Sequence, residues 1–232
     1  MNIDVIILSN ALNNNLRAIT TECIKSLYLS ERDITFNTIV LEQQEFIDYS
    51  HINNNVETHT ILSSFNYNRF MNYGIEQGHY KYVALCNSDL VFSKGWASAI
   101  IGAMEENAIL SASPFCPWSQ GKRRYSSDNK EFPEIAYGYR IGYEMSGWCI
   151  VINRVLLGII GRLNEEFPFW YADNAYCEQL KQKNIQHALI KNSIVTHLGS
   201  KTLDTLQEHH RTSYTTAEQK RWANRIKNGQ PF

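Results

Sequence analysis

An α/β fold built on one mostly parallel sheet, with helices on both faces, is predicted by two observations. Short apolar runs alternate with segments of helical apolar period along roughly the first 115 residues, the rhythm that parallel strands joined by helical crossovers require. One of those runs, ALCNSDLVF at 84–92, is interrupted by Asn87, Ser88 and Asp89. A buried strand that ends on a polar tip fits the ligand crevice beyond the carboxyl ends of strands in open parallel sheets.

The elements follow in order. Residues 3–8 (IDVIIL) form the first strand, and 17–29 place Ile19, Cys23, Ile24 and Leu27 at helical spacing. FNTIVLE at 36–42 is the second strand and THTILS at 58–63 the third; a helix over about 67–77 precedes the fourth, YKYVALC at 80–86. Ser93 is the expected cap of a helix through SKGWASAIIGAMEEN (93–107), and AILSAS (108–113) is again strand. The stretch 116–143, rich in Gly, Ser, Tyr and charge, has no clean period and is expected to be a long loop over the site. Order returns with a strand at 147–153, a loop leading into a helix from about residue 173, short strands at 185–190 and 193–199, and a basic helix near 215–227.

Composition narrows the function classes. With 232 residues, 44% of them apolar, the chain has ample material for a single core. A net charge of −1 argues against a surface coated for nucleic acid or anionic membrane, local patches aside. The cysteines at 23, 86, 116, 149 and 177 form no CxxC pair and most lie in apolar surroundings, which fits buried, reduced thiols. MNIDVIILSN has no basic region or cleavage site and reads as a strand rather than a signal sequence. The apolar stretch 147–163 contains Asn153 and Arg154 and does not read as a membrane span. A cytoplasmic protein is expected.

Several nucleotide-binding chemistries are excluded by motif. No G-x-x-x-x-G-K-S/T occurs, and the turn after the first strand, SNALNNN, has no glycine, so neither a P-loop nor a dinucleotide fingerprint is present. The Gly-rich loop that sugar nucleotidyltransferases place there is missing as well.

The order of the remaining motifs is informative. VIILSN, VLEQQ, YNRFMNYGIEQGHYKYVALCNSDLVF, SGWCIVINRVLLGIIGRLNEEFPFWYADNAYCEQLKQKN and VTHLGSKT follow one another over residues 3–203. In this order they resemble a family 2-type glycosyltransferase of the GT-A fold. The resemblance implies a glycosyltransferase domain over 1–203, with 204–232 as a C-terminal helical extension packed on it. It also implies an enzyme that moves a hexosyl or pentosyl group from a nucleotide sugar, UDP-linked in the commonest case, to an acceptor hydroxyl with inversion and with Mn²⁺ or Mg²⁺.

That resemblance assigns roles to residues. Asn87-Ser88-Asp89 matches the family's D-x-D with an amide for the first carboxylate. Asp89 is then the metal ligand, while Asn87 and Ser88 lie against ribose or metal-bound water. A divalent cation shared with a diphosphate needs only one or two protein carboxylates, since phosphates and waters supply the other oxygens. His197 matches the late histidine that completes the metal site, and Ser200 and Lys201 could offer hydroxyl and ammonium to phosphate. Asp173, in Ala172-Asp173 at a helix start, matches the base that takes the acceptor proton; Glu165 or Glu166 could substitute. Ser9, Asn10, Glu42, Arg69 and Asn72 would line the nucleotide pocket. Trp148, Trp170 and Tyr171 could stack on a sugar face, although Trp148 fits the core equally well.

Other readings stay open at this level. Asp89 could merely cap the following helix, and Asp173 could merely complement a helix dipole. A non-catalytic sugar-nucleotide or glycan-binding module is suggested by the two missing carboxylates. The acceptor is a glycan, or DNA bearing a hydroxymethylated base if Lys122, Arg123 and Arg124 and the basic tail form a cationic rim, with Tyr125 and Tyr137 as stacking surfaces.

Overall fold

The computed structural model describes residues 1–120, 133–199 and 208–232, with side chains from 215 onward in the last segment. Its centre is a nine-stranded sheet. Strands β1 (Asn2–Ser9), β2 (Thr35–Glu42), β3 (Val56–Thr60) and β4 (Tyr82–Asn87) pair in parallel in the order β3-β2-β1-β4. Continuous apolar runs such as Val5-Ile6-Ile7 and Val83-Ala84-Leu85 are fully or nearly fully buried, as strands covered on both faces require.

Beyond β4 the sheet becomes mixed. Strand β5 (Leu90–Phe92) follows directly, then β6 (Ser111–Phe115), β7 (Ile135–Tyr137), β8 (Cys149–Asn153) and β9 (Ala188–His197). β8 runs antiparallel between β4 and β6, β9 lies parallel to β6, and β5 and β7 each pair antiparallel with β9. Three expectations change here. The third strand begins two residues early, the two short strands near 185–199 are one ten-residue strand, and β7 lies within the expected loop, whose residues 121–132 fall outside the described ones.

Helices α1 (Asn14–Ser30), α2 (Tyr67–Gln77) and α3 (Trp96–Glu106) connect the first half, and α4 (Val155–Ile160), α5 (Ala172–Gln182) and α6 (Glu208–Lys227) the second. Asn13 caps α1 by accepting from Leu16 N at 3.0 Å. Ser93 does not cap α3. The N-cap is Gly95 at φ 81°, and the carboxylate of Glu31 accepts from Ala97 N and Ser98 N at 2.8 Å each. A distant acid supplies the cap because the end of α1 lies beside the start of α3, which relieves Asp89 of that duty.

At the amino edge of the sheet Asp4 is wholly buried and accepts from Asn37 Nδ2 (2.8 Å), Tyr80 N (2.7 Å) and Arg154 Nη2 (2.8 Å). This explains the arginine inside the apolar stretch 147–163: it is the counter-charge of a fully hydrogen-bonded buried acid. All five cysteines are buried and free. No described helix is long and apolar enough to cross a membrane.

Helix α2 packs closely on β1 at Gly74, where an added Cβ would stand 2.6 Å from Ile6 Cγ2. Gly74→Ala is therefore expected to destabilise the protein. Overpacking of about 1–3 kcal/mol exceeds the roughly 1 kcal/mol gain in helix propensity, so the urea midpoint should fall; a midpoint at or above wild type would refute the tight contact.

Candidate functional site

The register of the parallel strands brings three polar ends level. Ser9 pairs with Glu42 across β1 and β2, and Leu8 pairs with Asn87 across β1 and β4. Strand order reverses at β1/β4, the switch point where open α/β sheets form their crevice. A cavity of about 500 Å³ opens there, lined by Ser9, Asn10, Asn87, Ser88 and Asp89 from the strand ends, by Gly147, Trp148, Trp170, Tyr171 and Asp173 from later in the chain, and by His197.

Two residues far apart in sequence meet through β5 and β9. Leu90 lies opposite His197, and Leu198 N donates to Asp89 O at 2.9 Å. As a result His197 Nε2 stands 3.2 Å from Asp89 Oδ1. That separation permits attraction, but the approach is not aligned as a hydrogen bond, and the buried Nε2 has no hydrogen-bond partner. Trp148 stacks on the imidazole at 5.4 Å and 13° and fixes its plane. Trp148 thus belongs to the cavity wall.

Asp173 occupies the first turn of α5, whose N-cap Tyr171 is held at φ 62°. Its carboxylate lies against Gly147, where a Cβ would approach Oδ2 to 2.8 Å. Burial raises its pKa, while N–H donation from Asn174 (2.9 Å) and from its own amide pulls the other way. Gly147 itself is fixed by Tyr67 OH, which donates to its carbonyl at 3.1 Å. Gly147 and Tyr67 were not among the candidates; the only sequence signals were a glycine before Trp148 and a tyrosine at the start of α2.

Other candidates lie outside the cavity lining. Glu42, fully buried, accepts from Ser9 Oγ (2.6 Å), Ala11 N (3.0 Å) and Gln44 N (2.9 Å), so its carboxylate shapes the turn after β1 from beneath. Asn72 binds both backbone groups of Leu163 and the carboxylate of Glu165. Together with Asn66 and Asn68 it makes α2 a ladder that holds residues 163–165. Arg69 donates to Ser64 O. Glu165 also pairs with Arg162, and Glu166 with Arg225, and neither lines the cavity as Asp173 does. Ser200 and Lys201 lie outside the described residues, as do Lys122, Arg123, Arg124 and Tyr125.

No protein-family model matches the chain, and no curated protein matches it in sequence. Among solved structures it is similar to the crystal structure of S. aureus TarS 1-349, a glycosyltransferase, with a TM-score of 0.58 at 14% identity. The fold resembles that of a glycosyltransferase. The match covers 84% of this chain and 59% of the TarS chain. It therefore bears on the architecture that carries the cavity and not on membership of family 2.

The cavity also allows a test of whether a cation fits. Among the described residues no group of three or more His, Cys, Asp or Glu side chains could hold a metal. Asp89 and His197 alone present two ligand atoms 3.2 Å apart, one of them a buried nitrogen with no hydrogen bond. Adjacent ligands on an octahedral ion stand about 3 Å apart, so the pair suits a cation whose remaining ligands come from substrate and water.

Proposed function

We propose that the protein is an inverting glycosyltransferase, related to family 2, that moves a hexosyl or pentosyl group from a nucleotide sugar, with UDP as the nucleotide, to an acceptor hydroxyl. The observation that carries this is that the Asp89–His197 pair and Asp173 line one cavity at the sheet's switch point. Asp89 and His197 would hold Mn²⁺ or Mg²⁺, which when bound supplies positive charge to the departing diphosphate. Ser9, Asn10, Asn87 and Ser88 line the end where the nucleoside would lie.

Asp173 would receive the acceptor proton. Burial raises its pKa, which makes its carboxylate a better proton acceptor than an ordinary surface one. Trp148, Trp170 and Tyr171 offer faces on which a sugar ring can stack. The acceptor is proposed to be a glycan; of the basic tail, Arg221 and Arg225 are engaged with Glu166, while Lys220 and Lys227 are exposed.

The test is a panel of UDP-, GDP- and dTDP-sugars with Mn²⁺, Mg²⁺ or chelator, monitored for nucleoside diphosphate. Metal-dependent release of UDP supports the reading. Pyrophosphate release would identify a nucleotidyltransferase, and UDP binding without turnover a sugar-nucleotide-binding module.

A positional prediction arises at Gly147. Because a Cβ there would collide with the Asp173 carboxylate, Gly147→Ala should lower turnover by about tenfold or more, as expected when a reacting group is displaced by a fraction of an ångström. UDP affinity measured by calorimetry should change little. An equal loss of both would show that Gly147 serves the nucleotide instead.

A further inference from the structure

The cavity wall that carries Trp170, Tyr171 and Asp173 has no regular structure until α5 begins at Ala172. It is held from outside by α6. Glu218 is 1% exposed on a helix whose neighbours face solvent, and its carboxylate accepts from Phe169 N at 3.2 and 3.3 Å. Trp222 stacks on Tyr171 at 5.2 Å and 20° and meets Phe167 edge-on at 5.5 Å. Arg221 donates to Glu166 O at 3.1 Å, and Arg225 pairs with the Glu166 carboxylate.

These contacts have a common direction: each runs from α6 to the segment 166–171. The left-handed backbone of Tyr171 is a conformation that a non-glycine residue keeps only when its surroundings hold it. The ring of Trp222 supplies that hold one residue before α5 and two before Asp173. Burying a carboxylate is costly unless it is hydrogen-bonded, and Glu218 is buried where it accepts from a loop amide. By contrast, the nucleotide end of the cavity, built from β1 and β4, has no contact with α6 among those described.

We infer that α6 is a clamp that sets the acceptor side of the cavity, with Glu218 and Trp222 as positioning residues for Asp173 and the aromatic wall. The inference rests on the glycosyl-transfer reading. It divides the site into a donor half fixed by the sheet and an acceptor half fixed by the C-terminal helix.

The experiment compares wild type with Glu218→Ala and Trp222→Ala, and with Glu218→Gln and Trp222→Phe as conservative partners. Amide hydrogen exchange is followed in peptides covering 166–174, 2–9 and 82–89, alongside UDP binding by calorimetry with Mn²⁺ and release of UDP from the best donor of the panel. The alanine variants should exchange about tenfold faster or more at 166–174 alone. Their kcat should fall about 10- to 10²-fold, with UDP affinity within about twofold, and the conservative variants should recover most of both. Unchanged exchange at 166–174, or loss of protection spreading to 2–9 and 82–89, would overturn the clamp. Faster exchange at 166–174 with unaltered kcat would overturn the positioning role. Failure of the transfer reading shows separately, as wild-type protein that releases no nucleoside diphosphate from any donor, and the exchange data still decide whether α6 holds the wall.

Discussion

Asp89→Ala is expected to lower kcat/KM for glycosyl transfer by at least ~10²-fold, the range seen when an electrostatic stabiliser of a transition state is removed. Asp89 is the only carboxylate of the strand tip, and among the described residues that line the cavity it is the one placed beside His197 Nε2. The backbone bond from Leu198 N to Asp89 O does not depend on the side chain, so the variant should keep its fold, and circular dichroism will check that. The Mn²⁺ concentration giving half-maximal rate should rise. Near-wild-type turnover by a folded Asp89→Ala protein would remove the metal assignment.

The second large effect is expected at Asp173. Asp173→Asn keeps the size of the side chain but loses the ability to accept a proton, so transfer should drop by ~10²–10⁴-fold with little change in UDP affinity. Stability should respond in the opposite sense. Burial is the main reason the carboxyl pKa is raised above 3.8 in the folded protein. A group with a raised folded pKa contributes most to stability below its unfolded pKa and loses that contribution as pH rises through the folded value. At pH 7, above the unfolded pKa, the wild type therefore bears a penalty from this raised pKa that asparagine, which does not titrate, lacks. The melting temperature of Asp173→Asn should equal or exceed wild type at pH 7, with the difference closing as pH falls toward 4. A lower melting temperature at pH 7 would mean that Asp173 is a structural helix acid. In the wild type, the acid limb of the rate profile should lie above the ordinary carboxylate range.

What could be read from the sequence divides along physical lines. Strands β1 and β4 are built on continuous apolar runs, and the alternation of strands and helices predicts a mostly parallel sheet, so the polar end at Asn87 was readable as a crevice. β5 has only Leu90, Val91 and Phe92, too few to show a period, and its partner β9 comes much later in the chain. Antiparallel β8 has the same apolar pattern as a buried parallel strand, because burial on both faces erases the distinction. The candidates Glu42 and Asn72 had suitable chemistry at suitable places, yet both turned inward: a carboxylate or amide beside an irregular loop is as well suited to holding backbone amides as to holding a ligand. The role of Trp148 turned on which ring lay beside it, and composition has no bearing on that.

The pairing of β5 with β9 also fixes when the site can exist. Asp89 and His197 are separated by roughly a hundred residues of chain whose closure entropy must be overcome before the two meet. β9 is not an edge addition; it lies between β6 and β5, so the second half of the sheet cannot close without it. A chain emerging from the ribosome would form the β1–β4 half first, with Ser9 and Asn87 already in place at its polar end and its Asp89 side chain still lacking the histidine. The Asp89–His197 pair thus arrives late and all at once, with the insertion of one strand, and a partly made chain has one end of the cavity without that pair.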